Sequence, residues 1–272
     1  MSRLVIKAGR SHQEYWRDLW RYRELFYVLA WRDITVRYKQ TAIGVIWALL
    51  QPLVATIIFT VLLGKIAKMP ANGMPYPLIV MTGMLPWQFI SASLASASQS
   101  LVGNANLISK VYFPRLIIPA SAVVTAMVDL LIAFLLLAAF MAWYQIWPTW
   151  RMACLPFFVL LAFLVALGPG LLITALNVKY RDFRYIIPFA VQLGFFVSPV
   201  GYLSSNVPEY WRPFYSLNPA VGVIDGFRWA LLGGQNTIDP HSFTLSLIVT
   251  AFLLWFGISY FRKMERSFAD VI

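Results

Sequence analysis

A chain of 272 residues that is 60% hydrophobic and only 12% charged falls well short of the ~25% charged residues of a soluble globular domain. It is read as an integral membrane protein. Its net charge of +11 does not argue for nucleic acid, because most of the cations flank apolar runs, where orientation and anionic lipid headgroups account for them. Cys154 is the single cysteine and lies in an apolar segment, which excludes an intrachain disulfide or a cysteine metal site and suits a packing role.

Met1–Tyr38 is polar and basic. It has no apolar run ahead of a small-residue cleavage site, so no secretory signal is expected. Within it, Gln13–Tyr27 places Trp16, Leu19, Trp20 and Phe26 near helical spacing among Arg17, Asp18, Arg21, Arg23 and Glu24. That pattern predicts an amphipathic helix in the headgroup region; a short helix packed on its own protein is the other reading. Arg32, Asp33, Arg37 and Lys39 then stand on a boundary near Thr41, beyond which the chain turns apolar. Cations held there orient the chain with its N-terminus in the cytoplasm.

Runs able to cross about 30 Å of hydrocarbon occur at Ala42–Leu63, Pro77–Leu101, Ile117–Tyr144, Met152–Leu176, Tyr185–Leu203 and Phe243–Phe261. The fold class expected is an all-α membrane protein with six transmembrane helices. Residues 1–41 form a cytoplasmic N-terminal segment, 42–261 the six-span domain and 262–272 a cytoplasmic tail. Six spans put both termini on one side, and that side then carries seventeen Lys and Arg against five on the other, which supports cytoplasmic termini. The second half of the second run, SASLASASQS, is small and polar; that face packs against protein or lines a path.

Residues 204–242 mix turn residues with AVGVIDGFRWALL. Ala220–Leu232 is too short to span and reads as a re-entrant or interfacial helix. Asn218-Pro219 marks its start and Gly233-Gly234 its stop. Such backbone needs cover from protein or water at membrane depth.

No chemistry of catalysis stands out. The only Gly-Lys pair, in VLLGKIAK, lacks the upstream glycine and following hydroxyl of a phosphate loop, so ATP is not bound through that motif. His12 and His241 fall on opposite predicted sides, which argues against a metal site. Asp129 is the one acidic residue deep inside a span. It is either a functional carboxylate or one hydrogen-bonded between helices. The many aromatics, at 16% of the chain, fit an interfacial belt, while those within spans also suit a path on which sugar rings could stack.

RDITVRYKQTAIGVIWALLQPL, SKVYFPRLIIPASAV, LNVKYRDFRYIIPF and SLNPAVGVIDGFRWALLG each resemble segments of the membrane subunits of ABC-2 type polysaccharide exporters. The likeness is to the O-antigen and teichoic-acid export permeases in particular. The four stand in order from Arg32 to Gly233, so the resemblance covers most of the chain. It implies a half-transporter: a homodimer with two copies of a nucleotide-binding ATPase subunit, moving a lipid-linked polysaccharide out across the bacterial inner membrane. ATP and Mg would be bound by that partner, with no cofactor in this chain. Implied coupling loops are Asn104–Arg115 and Asn177–Arg184, with Asn106, Lys110, Tyr112, Phe113, Pro114, Arg115, Lys179, Tyr180, Arg181 and Asp182 as the contact residues. Arg32, Arg37 and Lys39 are candidate contacts for a lipid pyrophosphate, which guanidinium suits. Trp47, Trp87, Phe89, Phe195, Phe196, Asn218, Phe227 and Trp229 are candidates for the glycan path or gate. An ABC-2 exporter of a drug or small lipid would share this fold and coupling, and a membrane-embedded lipid-glycan transferase would need a catalytic cluster that only scattered acids could supply.

Overall fold

The structure is a computed structural model that describes residues 12–39, 44–233, 238–265 and 268. In chain order its helices are α1 (His12–Arg21), α2 (Arg23–Lys39), α3 (Gly44–Phe59), α4 (Tyr76–Gly103), α5 (Ala105–Lys110), α6 (Ile117–Trp143), α7 (Leu155–Lys179), α8 (Phe183–Val197), α9 (Arg212–Tyr215), α10 (Pro219–Leu232) and α11 (Pro240–Met264). A π-helical turn over Thr60–Ile66 prolongs α3, and a 3-10 turn over Trp150–Cys154 leads into α7. No strand occurs among the described residues.

The helix α4 is the centre of the molecule and packs on α3, α6, α7, α8 and α10. Its small-residue half explains how. Ser93, Ala97 and Ser98 are buried, and Thr174 Oγ1 and Asn177 Nδ2 of α7 donate to the Ala97 and Ser98 carbonyls at 2.8 and 2.7 Å. Small side chains let two backbones come this close in a membrane. The same device joins α7 to α11, where a Cβ on Gly257 would lie 2.1 Å from the Gly168 carbonyl oxygen.

Among the described residues, five helical segments are long and apolar enough to span, at Ile46–Ile66, Tyr76–Gly103, Ile117–Trp143, Trp150–Lys179 and Pro240–Met264. The fifth apolar run of the sequence departs from its expected bounds: its helix stops at Val197 after 15 residues, about 22 Å at 1.5 Å per residue. Ser198-Pro199 is the cause. A residue ahead of proline is pushed into extended backbone, and Ser198 has φ −91° and ψ 151°. The non-helical turn that follows is covered by protein, as burial at membrane depth demands. Tyr76 Oη donates to the Gly201 carbonyl at 2.6 Å and Arg228 Nη2 to the Val200 carbonyl at 3.1 Å.

The short helix α10 has the bounds its sequence signals set. Asn218 caps it through Oδ1, which accepts from the Ala220 N–H at 3.0 Å, and Gly233 ends it at φ 57°; Gly234 lies outside the described residues. Most of α10 is buried against α4, α7 and α11.

At the opposite end, α1, the α4–α6 connection and the end of α11 share a core that includes Leu29, Phe113, Ile117 and Phe261. Two helices replace the one expected over Gln13–Tyr27. Tyr15 and Leu19 of α1 pack inward, while Trp16 and Trp20 face out, so α1 uses one face for its own protein and offers its tryptophans to the surroundings. Cys154 is free and half-buried beside the larger core.

Candidate functional site

A cavity of about 430 Å³ opens between the end of α2 and helices α3, α4, α6 and α8. Its lining mixes polar and apolar side chains. Arg37 and Tyr38 come from α2, Trp47 and Gln51 from α3, Gln88 and Phe89 from α4 and Asp129 from α6. Arg37 Nη1 lies 2.6 Å from Asp129 Oδ2, and Tyr38 Oη donates to the other carboxylate oxygen. Asp129 is twelve residues beyond Ile117, roughly 18 Å along α6. The end of α2 therefore lies against the middle of α6, and a cation and a phenol offset a carboxylate there. An unpaired carboxylate at that depth would cost ~2.5–3.5 kcal/mol on insertion scales.

Of the other candidate headgroup contacts, Arg32 is tied to Asp33 at 2.8 Å and to Asn104 Oδ1 at 3.0 Å. It pins α2 to the end of α4. Lys39 is exposed at the last turn of α2.

The aromatic candidates divide. Trp47 is 61% exposed and Phe89 2%, and both line the cavity. Beside it, Phe195 meets Phe59, Trp87 and Phe196 edge-on at 5.3–6.2 Å. Trp87 packs over Gly194, where a Cβ would approach it to 2.7 Å. Phe227, by contrast, is fully buried and stacks on Phe134 at 6.0 Å, a core position instead of a path. Trp229 is held at the α10 end by Trp150, Phe158 and the Arg151 guanidinium. Asn218 serves as the α10 cap and donates to Ser198 Oγ at 2.9 Å.

The two candidate coupling loops lie at the end where α1 and α11 meet. Asn106 and Lys110 stand on the six-residue helix α5, and Tyr112 is 49% exposed. Phe113 and Pro114 are buried and anchor the loop. Arg115 turns inward: its backbone N–H donates to Glu265 Oε1 at 2.7 Å, and its guanidinium donates to the Glu265 carbonyl oxygen. In the second loop, Lys179, Tyr180, Arg181 and Asp182 are exposed, with the Lys179 ammonium 5.0 Å from the Tyr180 ring centre. Asn177 belongs to α7 and its bond to α4. A groove of about 510 Å³, lined by Gly103, Ala105, Arg181 and Arg184 among others, joins the two loops.

Burial holds the Glu265 carboxyl above the usual carboxylate range, against the pull of the Arg115 N–H and guanidinium. A raised carboxyl contributes most to stability below its unfolded value of about 4.5, and that contribution is lost as pH rises through the folded value. The wild-type chain is therefore expected to lose melting temperature between pH 5 and 8, and Glu265→Gln to flatten that fall. A melting series in detergent across that range checks it, and identical slopes would contradict it.

Sequence reasoning missed Arg228, counted as an outer-side cation. It is 2% exposed, with Nη2 donating to the Ile79 and Val200 carbonyls at 3.1 Å and Nη1 3.8 Å from Asp225. The available signal was Asp and Arg three apart in an otherwise apolar 14-residue helix, a spacing that puts both on one face.

Helices long enough to span, a short buried helix at one end and a basic loop end at the other define a multi-pass membrane protein. The chain belongs to the ABC-2 type transporter family, which it matches over residues 24–232. It is 29% identical over 258 residues, 94% of this chain and 98% of the relative, to the O-antigen export system permease protein RfbA of Myxococcus xanthus. It is 26% identical to a Klebsiella pneumoniae protein of the same name, covering 92% of this chain and 95% of that protein. The polysialic acid transport protein KpsM of Escherichia coli is 20% identical, covering 87% and 92%.

Proposed function

We propose that this chain is the membrane subunit of an ATP-driven exporter that carries a lipid-linked polysaccharide across the bacterial inner membrane. The observation that carries the reading is likeness along nearly the whole chain to permeases named for O-antigen export and polysialic acid transport. The cavity suits that cargo. A lipid diphosphate needs a cation close to the hydrocarbon, and Arg37 supplies one on a wall that also holds Trp47 and Phe89.

The complex would be a homodimer with two copies of a nucleotide-binding ATPase. Exposed apolar side chains on α3 (Ile46, Leu50, Val54) and α8 (Phe189, Leu193, Phe196) supply a face for the second copy or for lipid. Both termini would be cytoplasmic, a reading supported by the excess of seventeen cations over five under the six-span topology. The groove between the two loops would then face the ATPase, with residues 1–41 as a cytoplasmic N-terminal segment, 42–261 as the spanning domain and 262–272 as a cytoplasmic tail.

Deleting the gene should abolish long-chain polysaccharide at the cell surface, seen by gel staining of the extracted glycan. The tagged chain should co-purify an ATPase subunit, and ATP hydrolysis should be found only in the complex. Unchanged surface glycan in the deletion strain would overturn the cargo and favour an exporter of drugs or small lipids.

A further inference from the structure

The α10 end of the molecule holds a second cavity, of about 170 Å³, between the segment after α8, α10 and the start of α11. It is built from polar groups, and its charges balance: Arg212 and Arg228 face Asp225 and Asp239. We propose that it binds a single uncharged sugar unit.

Three observations lead there. The volume is that of about six waters at ~30 Å³ each and lies below the ~300–1,000 Å³ of sites for drug-sized ligands, which fits one six-membered ring and not an oligomer. Two cations against two carboxylates leave no net field to favour an ion, whereas a ring of hydroxyls both donates and accepts. Arg228 is 98% buried by side chain, and its Nη1 lies 3.8 Å from Asp225 Oδ1, an ion pair beyond hydrogen-bond reach. Nη2 satisfies the Ile79 and Val200 carbonyls, while Nε and Nη1 have no hydrogen-bond partner. A buried guanidinium that lines a polar cavity with hydrogen-bonding capacity left over is costly unless an acceptor arrives. The wall also offers Asp225, whose Oδ1 accepts from Ser204 at 2.8 Å, and Asp239, whose Oδ2 accepts from Ser242. Each carboxylate keeps lone pairs for a sugar hydroxyl.

The ring could belong to a glycan chain in transit or be a free sugar outside the membrane. The first source rests on the export reading; the polar cavity itself does not. Saturation-transfer NMR on the chain in nanodiscs, with free hexoses and their methyl glycosides at 50 mM, tests both. A methyl glycoside that binds as well as the free sugar indicates a chain unit, and binding of the reducing sugar alone indicates a free ligand. Asn72 also lines the cavity and has φ 47°, a conformation glycine adopts without strain; Asn72→Gly and Asp239→Asn should each cut the signal at least fivefold. Asparagine is as good a helix cap as aspartate, so the second change leaves the start of α11 intact, which an unchanged melting temperature verifies. No transfer to any neutral sugar, an equal signal from both variants and wild type, or stronger binding of a uronic acid or hexosamine would overturn the proposal. Failure of the export reading shows elsewhere, as surface glycan that survives gene deletion.

Discussion

Asp129→Ala is expected to reduce export at least tenfold while leaving membrane insertion intact. The change removes the acceptor of both Arg37 and Tyr38. It leaves the Arg37 guanidinium at the end of α2 without the Asp129 carboxylate that offsets it. Breaking a fully buried pair costs about 3–5 kcal/mol and an exposed one ~0.2–1. The side chains here are 41% and 26% exposed, so about 1–2 kcal/mol is the fair range, and 1.4 kcal/mol is tenfold in an equilibrium. The affected equilibrium is the seating of α2 on α6. Arg37→Ala should be the milder loss of structure but an equal loss of export, because it removes the cation proposed to meet the diphosphate. The exchange of the two residues, Arg37→Asp with Asp129→Arg, restores the pair and should recover melting temperature without recovering export. Surface glycan and thermal melts on the four proteins decide the matter. Full export by Asp129→Ala would leave the pair a bystander, and recovery of export by the exchange would make it a tie with no part in headgroup binding.

How much of this was legible beforehand depends on the distance over which each signal acts. The α10 bounds are local: Asn218-Pro219 and Gly233 act through the backbone of their own neighbours, and the helix starts and stops on them. The small-residue face of α4 is also legible, since close approach is the use such residues have in a membrane. What the sequence conceals is pairing between distant segments. Arg37 looked like an orientation signal and Asp129 like an isolated carboxylate, because 92 positions separate them and nothing local predicts that α2 lies along α6. Phe227 carried the opposite error: an aromatic on a gate helix was read as a path residue, but the helix buries that face against α6. The early end of α8 lay in plain view at Ser198-Pro199, yet hydropathy ran on through Val200 and masked it.

Arg115 shows the same limit at the coupling end, and it separates two roles that resemblance had joined. Its backbone and guanidinium are both spent on Glu265, so it ties the first loop to the end of α11. Tyr112 stands 49% exposed three residues earlier, and Lys110 ends the short helix beside it. Arg115→Glu sets a second carboxylate beside a buried one and removes a charge-assisted bond worth ~1.5–3 kcal/mol. It should lower the melting temperature of the isolated chain and lose export with it. Tyr112→Ala combined with Lys110→Glu should lower the melt less than Arg115→Glu does while reducing co-purified ATPase at least fivefold. If Arg115→Glu melts like wild type but fails to retain the ATPase, the guanidinium faces the partner after all. If the double substitution retains the ATPase in full, the docking surface lies in the second loop, at Lys179, Tyr180, Arg181 and Asp182, and the same pair of measurements on Arg181→Glu locates it.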